Sequence, residues 1–422
     1  MIKNDCFKKK VCYYKMKSYI VYGNASQVSK KLKVRFTTDE LCDKTLTRLG
    51  ESRKTVKVKV EKISKKVATE NAIDWGDLPS FTINPGHPEI TVHFKGDQYI
   101  RTFYEEVLQQ PYPSKQPRSI WVPDKPLSYP KDAFWTAPNV DTKYPIFVIS
   151  KGRFDACLTS DFLLKGGVKH FVVVEECECE KYSYRNNDIV TVLSMPTSNN
   201  NLGQGSIPVR NWVDEYARQN GHLKHWVLDD NITCFKRFHK NTQRDVLGSV
   251  PFRVVEDFSD RYANLYLSGM QYTQFLPEIS RGRGCALRNT RIYSCILVHS
   301  ELKSVLDGVL WRGKYNEDTD LSLRLLKEGF PTVLHQQFTC KKKQTLSCKG
   351  GNTSSIYTGD GLKRKVASLV KQHPDVVKET FKFKKPHHQV NYKPFKSIEL
   401  TLKEGLTFPS APNEYGLQIN YQ

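Results

Sequence analysis

The sequence predicts an α/β fold: a mostly parallel sheet flanked by helices, preceded by a small α+β domain at the N-terminal end. Three observations carry this. Between residues 145 and 228, short apolar runs alternate with polar stretches of helical length, as in parallel sheets covered on both faces. The first run ends in a glycine turn and the fourth in two adjacent carboxylates, and the carboxyl edge of such a sheet is where ligands bind. Upstream, residues 55–60 alternate Val with Lys, the period of a half-buried strand.

Taken in order, residues 1–109 form the basic α+β domain, whose role stays open. Strands are expected at 55–60 and 90–95 and a short helix at 98–109. Residues 110–138 carry seven prolines, at 111, 113, 117, 123, 126, 130 and 138. That density blocks helix and central strand alike, so 110–142 reads as an extended connector, docked through Trp121, Phe134 and Trp135. The main domain spans 143–395. Its strands are 145–149, 170–174, 188–193 and 225–228. Its helices are 155–165, closed by Gly166 and Gly167, and 209–219, preceded by a glycine loop at 202–208. Further strands fall at 265–270 and 292–298, and a helix at 321–327 stops before Gly329. Residues 349–353 form a loop and 396–422 a C-terminal tail.

A chain of 422 residues accommodates two or three domains. Its net charge of +21 is unevenly spread. Residues 1–70 hold 19 Lys/Arg against 7 Asp/Glu, and residues 336–422 hold 15 against 6, so residues 71–335 sum to zero. A neutral body with basic ends suits a polyanion such as nucleic acid; a solvated basic surface is the plainer alternative. No apolar segment follows the basic N-terminus and no run reaches membrane-span length. Eleven cysteines, an odd number in a long chain, suit a reducing compartment. The expectation is a soluble intracellular protein. Cys177/Cys179 and Cys340/Cys348 lack zinc-finger spacing and read as free thiols.

Asp229 and Asp230 follow the apolar run 225–228. They are either hard oxygen ligands for Mg²⁺ or Mn²⁺ or a turn and helix cap. Glu317, Asp318 and Asp320 put three carboxylates into four residues ahead of helical sequence. The helix dipole accounts for one or two; the crowding of three is relieved by a cation or a proton and suits a general base. Ser150, Lys151 and Arg153 flank the turn after the first strand, a phosphate cradle or a solvated turn. Gly203 and Gly205 lack the third glycine of a dinucleotide fingerprint, but precede Ser206 and Pro208 at a helix start, with Arg210 and Asn211 in its first turn within reach of a donor phosphate. Arg281, Arg283, Arg312, Lys314 and Lys349, with Asp320, are candidates for DNA or acceptor contact. The run Phe235–His239 mixes aromatics and bases, for stacking on an extruded base or for the core. His335 is either a further metal ligand or a core histidine.

Glu317-Asp318 followed by Leu321, Arg324 and Gly329 resembles the signature of glycosyltransferases with the GT-A fold, and Asp229-Asp230 resembles their acidic metal motif. More narrowly, segments 149–153, 202–212, 225–231, 315–321 and 349–353 resemble the TET-associated glycosyltransferase family, found in bacteriophages and some eukaryotic proteins. The resemblance covers about 143–395. It implies a GT-A, Rossmann-like domain that moves a sugar from a nucleotide sugar, a UDP-sugar foremost, onto the hydroxyl of a hydroxymethylated pyrimidine in DNA, flipped out when in duplex. In that scheme Asp229 and Asp230 hold Mg²⁺ or Mn²⁺ against the donor diphosphate, Asp318 is the general base, and Glu317 orients it. A viral member would work in the host cytoplasm. A non-DNA acceptor, a nucleotidyltransferase, and a non-enzymatic DNA-binding module on the same fold are the alternatives.

Overall fold

The computed structural model describes residues 30–36, 39–51, 58–61, 77–79, 89–94, 98–114, 119–122, 131–138, 140–196, 205–239, 242–276, 285–343, 361–382, 385–407 and 413–421. The chain divides into two compact units, residues 1–68 with 84–127 and residues 69–83 with 128–422.

The first unit contains β1 (Lys30–Phe36), α1 (Asp39–Glu51), β2 (Val58–Glu61), β3 (Glu89–Phe94), α2 (Gln98–Thr102) and β4 (Ser119–Val122). Its sheet runs β2-β3-β1-β4. Strand alternation is clean: Leu32, Val34, Phe36, Ile90, Val92 and Phe94 are fully buried, one side chain in two, as a one-faced sheet requires. The helix expected over 98–109 breaks into α2 and a π-helical turn, Phe103–Leu108, which turns four apolar side chains inward.

The second unit contains β5 (Phe134–Thr136), β6 (Ile146–Ile149), α3 (Leu158–Lys165), β7 (His170–Glu175), α4 (Cys179–Tyr182), β8 (Val190–Met195), α5 (Ile207–Gln219), β9 (Lys224–Asp229), β10 (Ile232–His239), β11 (Thr242–Leu247) and α6 (Val250–Ser259). There follow β12 (Leu267–Tyr272), β13 (Ala286–Arg288), β14 (Cys295–His299), α7 (Leu302–Val305), α8 (Glu317–Lys327), β15 (Thr332–Lys342), α9 (Gly361–Gln372), β16 (Val377–Lys382), β17 (Lys385–Val390) and β18 (Gln418–Asn420). One sheet orders them β18-β5-β11-β10-β15-β12-β14-β9-β6-β7-β8, with β13 on β15; β16 and β17 form a separate two-stranded ribbon.

The expectation of a mostly parallel sheet is met in one half only. β9, β6, β7 and β8 are mutually parallel, joined by crossovers long enough to carry helices. Their two faces are buried against different helices. Phe147, Val173 and Val227 pack with Val213 and Ala217 of α5, whereas Val148, Val172 and Leu228 share a core with Leu163 of α3 and Phe252 of α6. From β14 outward the sheet is mixed: β14 runs antiparallel to β9 and β12, and β10 antiparallel to β11 and β15. β10 and β11 are separated by two residues, which permits only an antiparallel return.

Two boundaries differ from expectation. Residues 134–136, placed in the connector, pair with β11, and residues 418–420, placed in the tail, pair with β5. Trp135 is buried under the Arg237 guanidinium, 4.3 Å from the ring centroid, and Arg237 bonds Glu414 at 2.7 Å. Apolar burial and one ion pair therefore draw both proline-rich and terminal segments into the sheet. The aromatic–basic run Phe235–His239 is likewise core: Phe235 and Phe238 are buried, Phe235 against Phe252 at 4.9 Å. They cannot stack on an extruded base. No helix among the described residues is long and apolar enough to cross a membrane.

Candidate active site

The parallel half meets the antiparallel half at β9. Ile149, the last residue of β6, pairs with Asp229, the last of β9. The Asp229 amide donates to the Ser294 carbonyl at 2.9 Å, just before β14 begins. Three chain segments thus present their ends at one carboxyl edge.

Asp229 Oδ1 accepts from Arg210 Nη2 at 2.8 Å. Its Oδ2 accepts from the Ser294 hydroxyl at 2.7 Å and from Lys342 Nζ at 2.5 Å. Lys342 also donates to Ser294 Oγ at 2.9 Å and faces the Tyr272 ring. Burial works against the charge of Asp229, but Lys342 and Arg210 overcome it and hold its pKa well below the usual carboxylate range. Burial likewise opposes charge on Lys342, and the Asp229 carboxylate reverses the sign, holding the ammonium protonated.

Asp230 points elsewhere, as consecutive residues at a strand end do. Its Oδ2 accepts from Ser150 Oγ at 2.8 Å and its Oδ1 from the Arg153 guanidinium. Burial, the largest influence, raises its pKa against the pull of Arg153. The turn that carries Arg153 is braced: Lys151 bonds Glu175 at 2.6 Å, the Gly152 amide donates to Glu178, and the Arg153 amide to the Tyr182 hydroxyl at 2.8 Å.

The second acidic cluster starts α8. Asn316 takes a left-handed conformation, φ 54°, and donates its side-chain amide to the Lys365 carbonyl at 2.9 Å. Glu317 Oε1 accepts from the Ser206 hydroxyl at 2.5 Å and lies 3.5 Å from Arg210 Nε. One guanidinium therefore spans Asp229 and Glu317 and brings the two sequence clusters together. Arg210 is 2% exposed, sits 4.8 Å over Trp311, and has a buried Nη1 with no hydrogen-bond partner. Asp318 is partly exposed, and its Oδ1 accepts from the Thr319 amide at 2.7 Å. Its charge acts on Lys342, Arg291 and Lys365 and on His388. Burial lowers the pKa of Lys365 and pushes His388 down to about 4.

The remaining sequence candidates separate. Gly205, φ 72°, leads into α5. Asn211 is committed to the Trp311 backbone, donating to its carbonyl at 3.0 Å and accepting from its amide at 3.1 Å, so it ties α5 to a loop rather than meeting a donor. Asp320 is fully buried and held by Arg312, Arg324 and His373, which removes it from acceptor contact. Arg312 spends its guanidinium there; Lys314 is exposed. His335 is fully buried 4.9 Å from the Phe258 ring, its pKa pushed down to about 3 by burial, and is a core histidine. Gly203, Arg281, Arg283 and Lys349 lie outside the described residues. Cys177, Cys179 and Cys340 are free thiols.

Sequence reasoning found Arg210 but missed the other three cations. Lys342 falls in the basic run that starts at Lys341 and carries no mark of its own there. Residues 332–340 of β15 are buried on both faces, so no period-two pattern marks Lys342, which is half-buried just beyond them. Arg291 and Lys365 carry no signal either.

The acids do not fit the divalent-ion site expected of them. Every oxygen of Asp229 and Asp230 already faces a cation or a hydroxyl. Among the described residues no group of three His, Cys, Asp or Glu side chains is placed to hold a metal. Around Asp229, Glu317 and Asp318 stand Arg210, Arg291, Lys342 and Lys365, four positive charges against three negative. Mg²⁺ or Mn²⁺ would enter among cations.

A sheet edge with one buried and three half-buried cations beside half-buried carboxylates has the chemistry to bind an anion and to move a proton. Residues 144–351 match the model of the TET-Associated Glycosyltransferase family. The matched segment contains Asp229, Asp230, Glu317, Asp318, Arg210, Arg291 and Lys342; Lys365 and His388 lie beyond it. No curated protein matches the chain.

Proposed function

We propose that the second unit transfers a sugar from a nucleotide-sugar donor, a UDP-sugar first among them, to the hydroxyl of a hydroxymethylated pyrimidine in DNA, on a GT-A-like domain. The observation that carries the transfer reaction is Arg210 bonding Asp229 and lying against Glu317. It joins the strand-end acid to the helix-start acids at one sheet edge.

The work divides by charge. Arg210, Arg291, Lys342 and Lys365 attract the donor diphosphate. Asp318, partly exposed and hydrogen-bonded only to Thr319 in its own turn, takes the proton from the acceptor hydroxyl, which is a poor nucleophile until it loses it. Glu317, fixed by Ser206 and Arg210, orients donor and acceptor. The electron pair of the broken bond between sugar carbon and phosphate oxygen stays on the diphosphate. The expected divalent ion has no place in this scheme, because its donors are taken.

A polyanionic acceptor is supported by the ribbon of β16 and β17. Lys378, Lys385 and His387 are exposed on one face of it. On the alternate face His388 feels the charge of Asp318. A two-stranded ribbon fits the major groove, and this one would hold DNA beside the proton acceptor. The test is incubation with labelled UDP-sugars and hydroxymethylated DNA, unmodified DNA or a free glycan. Label on hydroxymethylated DNA alone is the expected result; label on glycan alone would reassign the acceptor.

A further inference from the structure

We infer that the Lys342 ammonium, with Arg210, stands where a divalent cation would otherwise bind the donor, so that this transferase holds a nucleoside diphosphate without metal. The inference rests on the reading of this edge as a sugar-nucleotide site.

The geometry is specific. An ammonium has three donors. Lys342 uses one on Asp229 and one on Ser294, and the third has no hydrogen-bond partner among the described residues. Arg210 Nη1 is a second unpaired donor next to the same carboxylate. Asp229 therefore acts as a positioning residue: it fixes two cations whose remaining N–H groups suit phosphate oxygens. A metal bound at Asp229 would have to displace Arg210 from Oδ1 or Lys342 from Oδ2 and leave that cation without its partner. Breaking such a buried pair is strongly unfavourable in a site of low polarity.

During transfer the bond between the anomeric carbon and the β-phosphate oxygen breaks and a bond from the acceptor oxygen forms. The acceptor proton passes to Asp318, and the diphosphate leaves with the electron pair. Lys342 and Arg210 would neutralise the charge that develops on that oxygen, the task a metal performs elsewhere.

Binding of UDP and of inorganic pyrophosphate to the full-length protein, measured by calorimetry in EDTA and again with Mn²⁺, tests this. The expected result is binding in EDTA that Mn²⁺ improves by less than about threefold. Lys342→Met should weaken binding in EDTA by about tenfold or more, the value of one charge-assisted hydrogen bond. Mn²⁺ should restore it, because Lys342 no longer occupies Asp229 Oδ2. A merely structural lysine would give no such rescue, and Lys342→Arg should retain binding in EDTA. Wild-type binding that requires Mn²⁺, or a Lys342→Met protein that binds as tightly as wild type, overturns the inference and leaves the sugar-nucleotide site standing. Absence of binding in both conditions overturns the inference and the sugar-nucleotide reading together.

Discussion

Asp318 and Asp320 sit two positions apart on the first turn of α8, and their surroundings are opposite. Asp318 is partly exposed and faces Lys342, Arg291 and Lys365 across the sheet edge. Asp320 is fully buried, 3.1 Å from Arg312, 3.2 Å from Arg324 and 2.9 Å from His373. Residues two apart on a helix look in different directions, so one acidic turn serves two purposes. Asp320 ties α8 to the preceding loop and to α9; Asp318 is left to react. Asp229 and Asp230 repeat the lesson, with pKa values moved down and up respectively.

The difference can be tested by matching substitutions. Asp318→Asn is expected to lower the transfer rate by about a thousandfold, as removal of a general base does, with UDP affinity and melting temperature close to wild type. Asp320→Asn should do the reverse. It leaves Arg324 and His373 buried beside a neutral amide and costs about 3 kcal/mol of stability, read as a lower melting temperature, while the protein that remains folded keeps its turnover. A normal melt combined with lost transfer in Asp320→Asn would erase the distinction.

A buried acid elsewhere sharpens it. Glu256 is fully buried and accepts from Trp226 Nε1 at 2.8 Å and the Lys143 amide at 2.7 Å; burial raises its pKa to about 7. The folded state thus binds the proton more tightly than the unfolded chain. This group's contribution to stability is full below the unfolded carboxyl pKa of about 4.5 and is lost as pH rises through about 7. Melting curves of wild type and Glu256→Gln should diverge across that window, the wild type losing more on alkalinisation. Parallel curves would show that Glu256 stays ionised throughout.

The smallest expected effect is at the ribbon. Lys378→Glu with Lys385→Glu should weaken DNA retention and flatten its salt dependence, by about one unit of slope for each phosphate no longer neutralised, leaving UDP binding unchanged. An unaltered slope would place the DNA elsewhere.

Much of the fold was legible because period and punctuation were strong. The strands ending at Ile149 and Asp229 and the helices α5 and α8 follow from apolar runs, a proline at a helix start and the glycine after α8. The mixed half was not, since β14 and β12 pair across long sequence separations that no local pattern encodes. β5 and β18 were hidden by proline and by terminal position, and burial of Trp135 with the Arg237–Glu414 ion pair explains them. At the site, acids were legible because carboxylates cluster in sequence. The cations come singly, from α5, from the turn before β14, from β15 and from α9, and only folding gathers them.

The central claim is that Asp318 takes a proton from an acceptor hydroxyl while the cations around Asp229 hold a sugar nucleotide. Mass spectrometry of nucleosides from hydroxymethylated DNA, after incubation with UDP-sugars and either wild type or Asp318→Asn, tests it most directly. The account predicts a hexose-shifted pyrimidine with wild type and only a trace with the variant. Equal hexose with both proteins would contradict it.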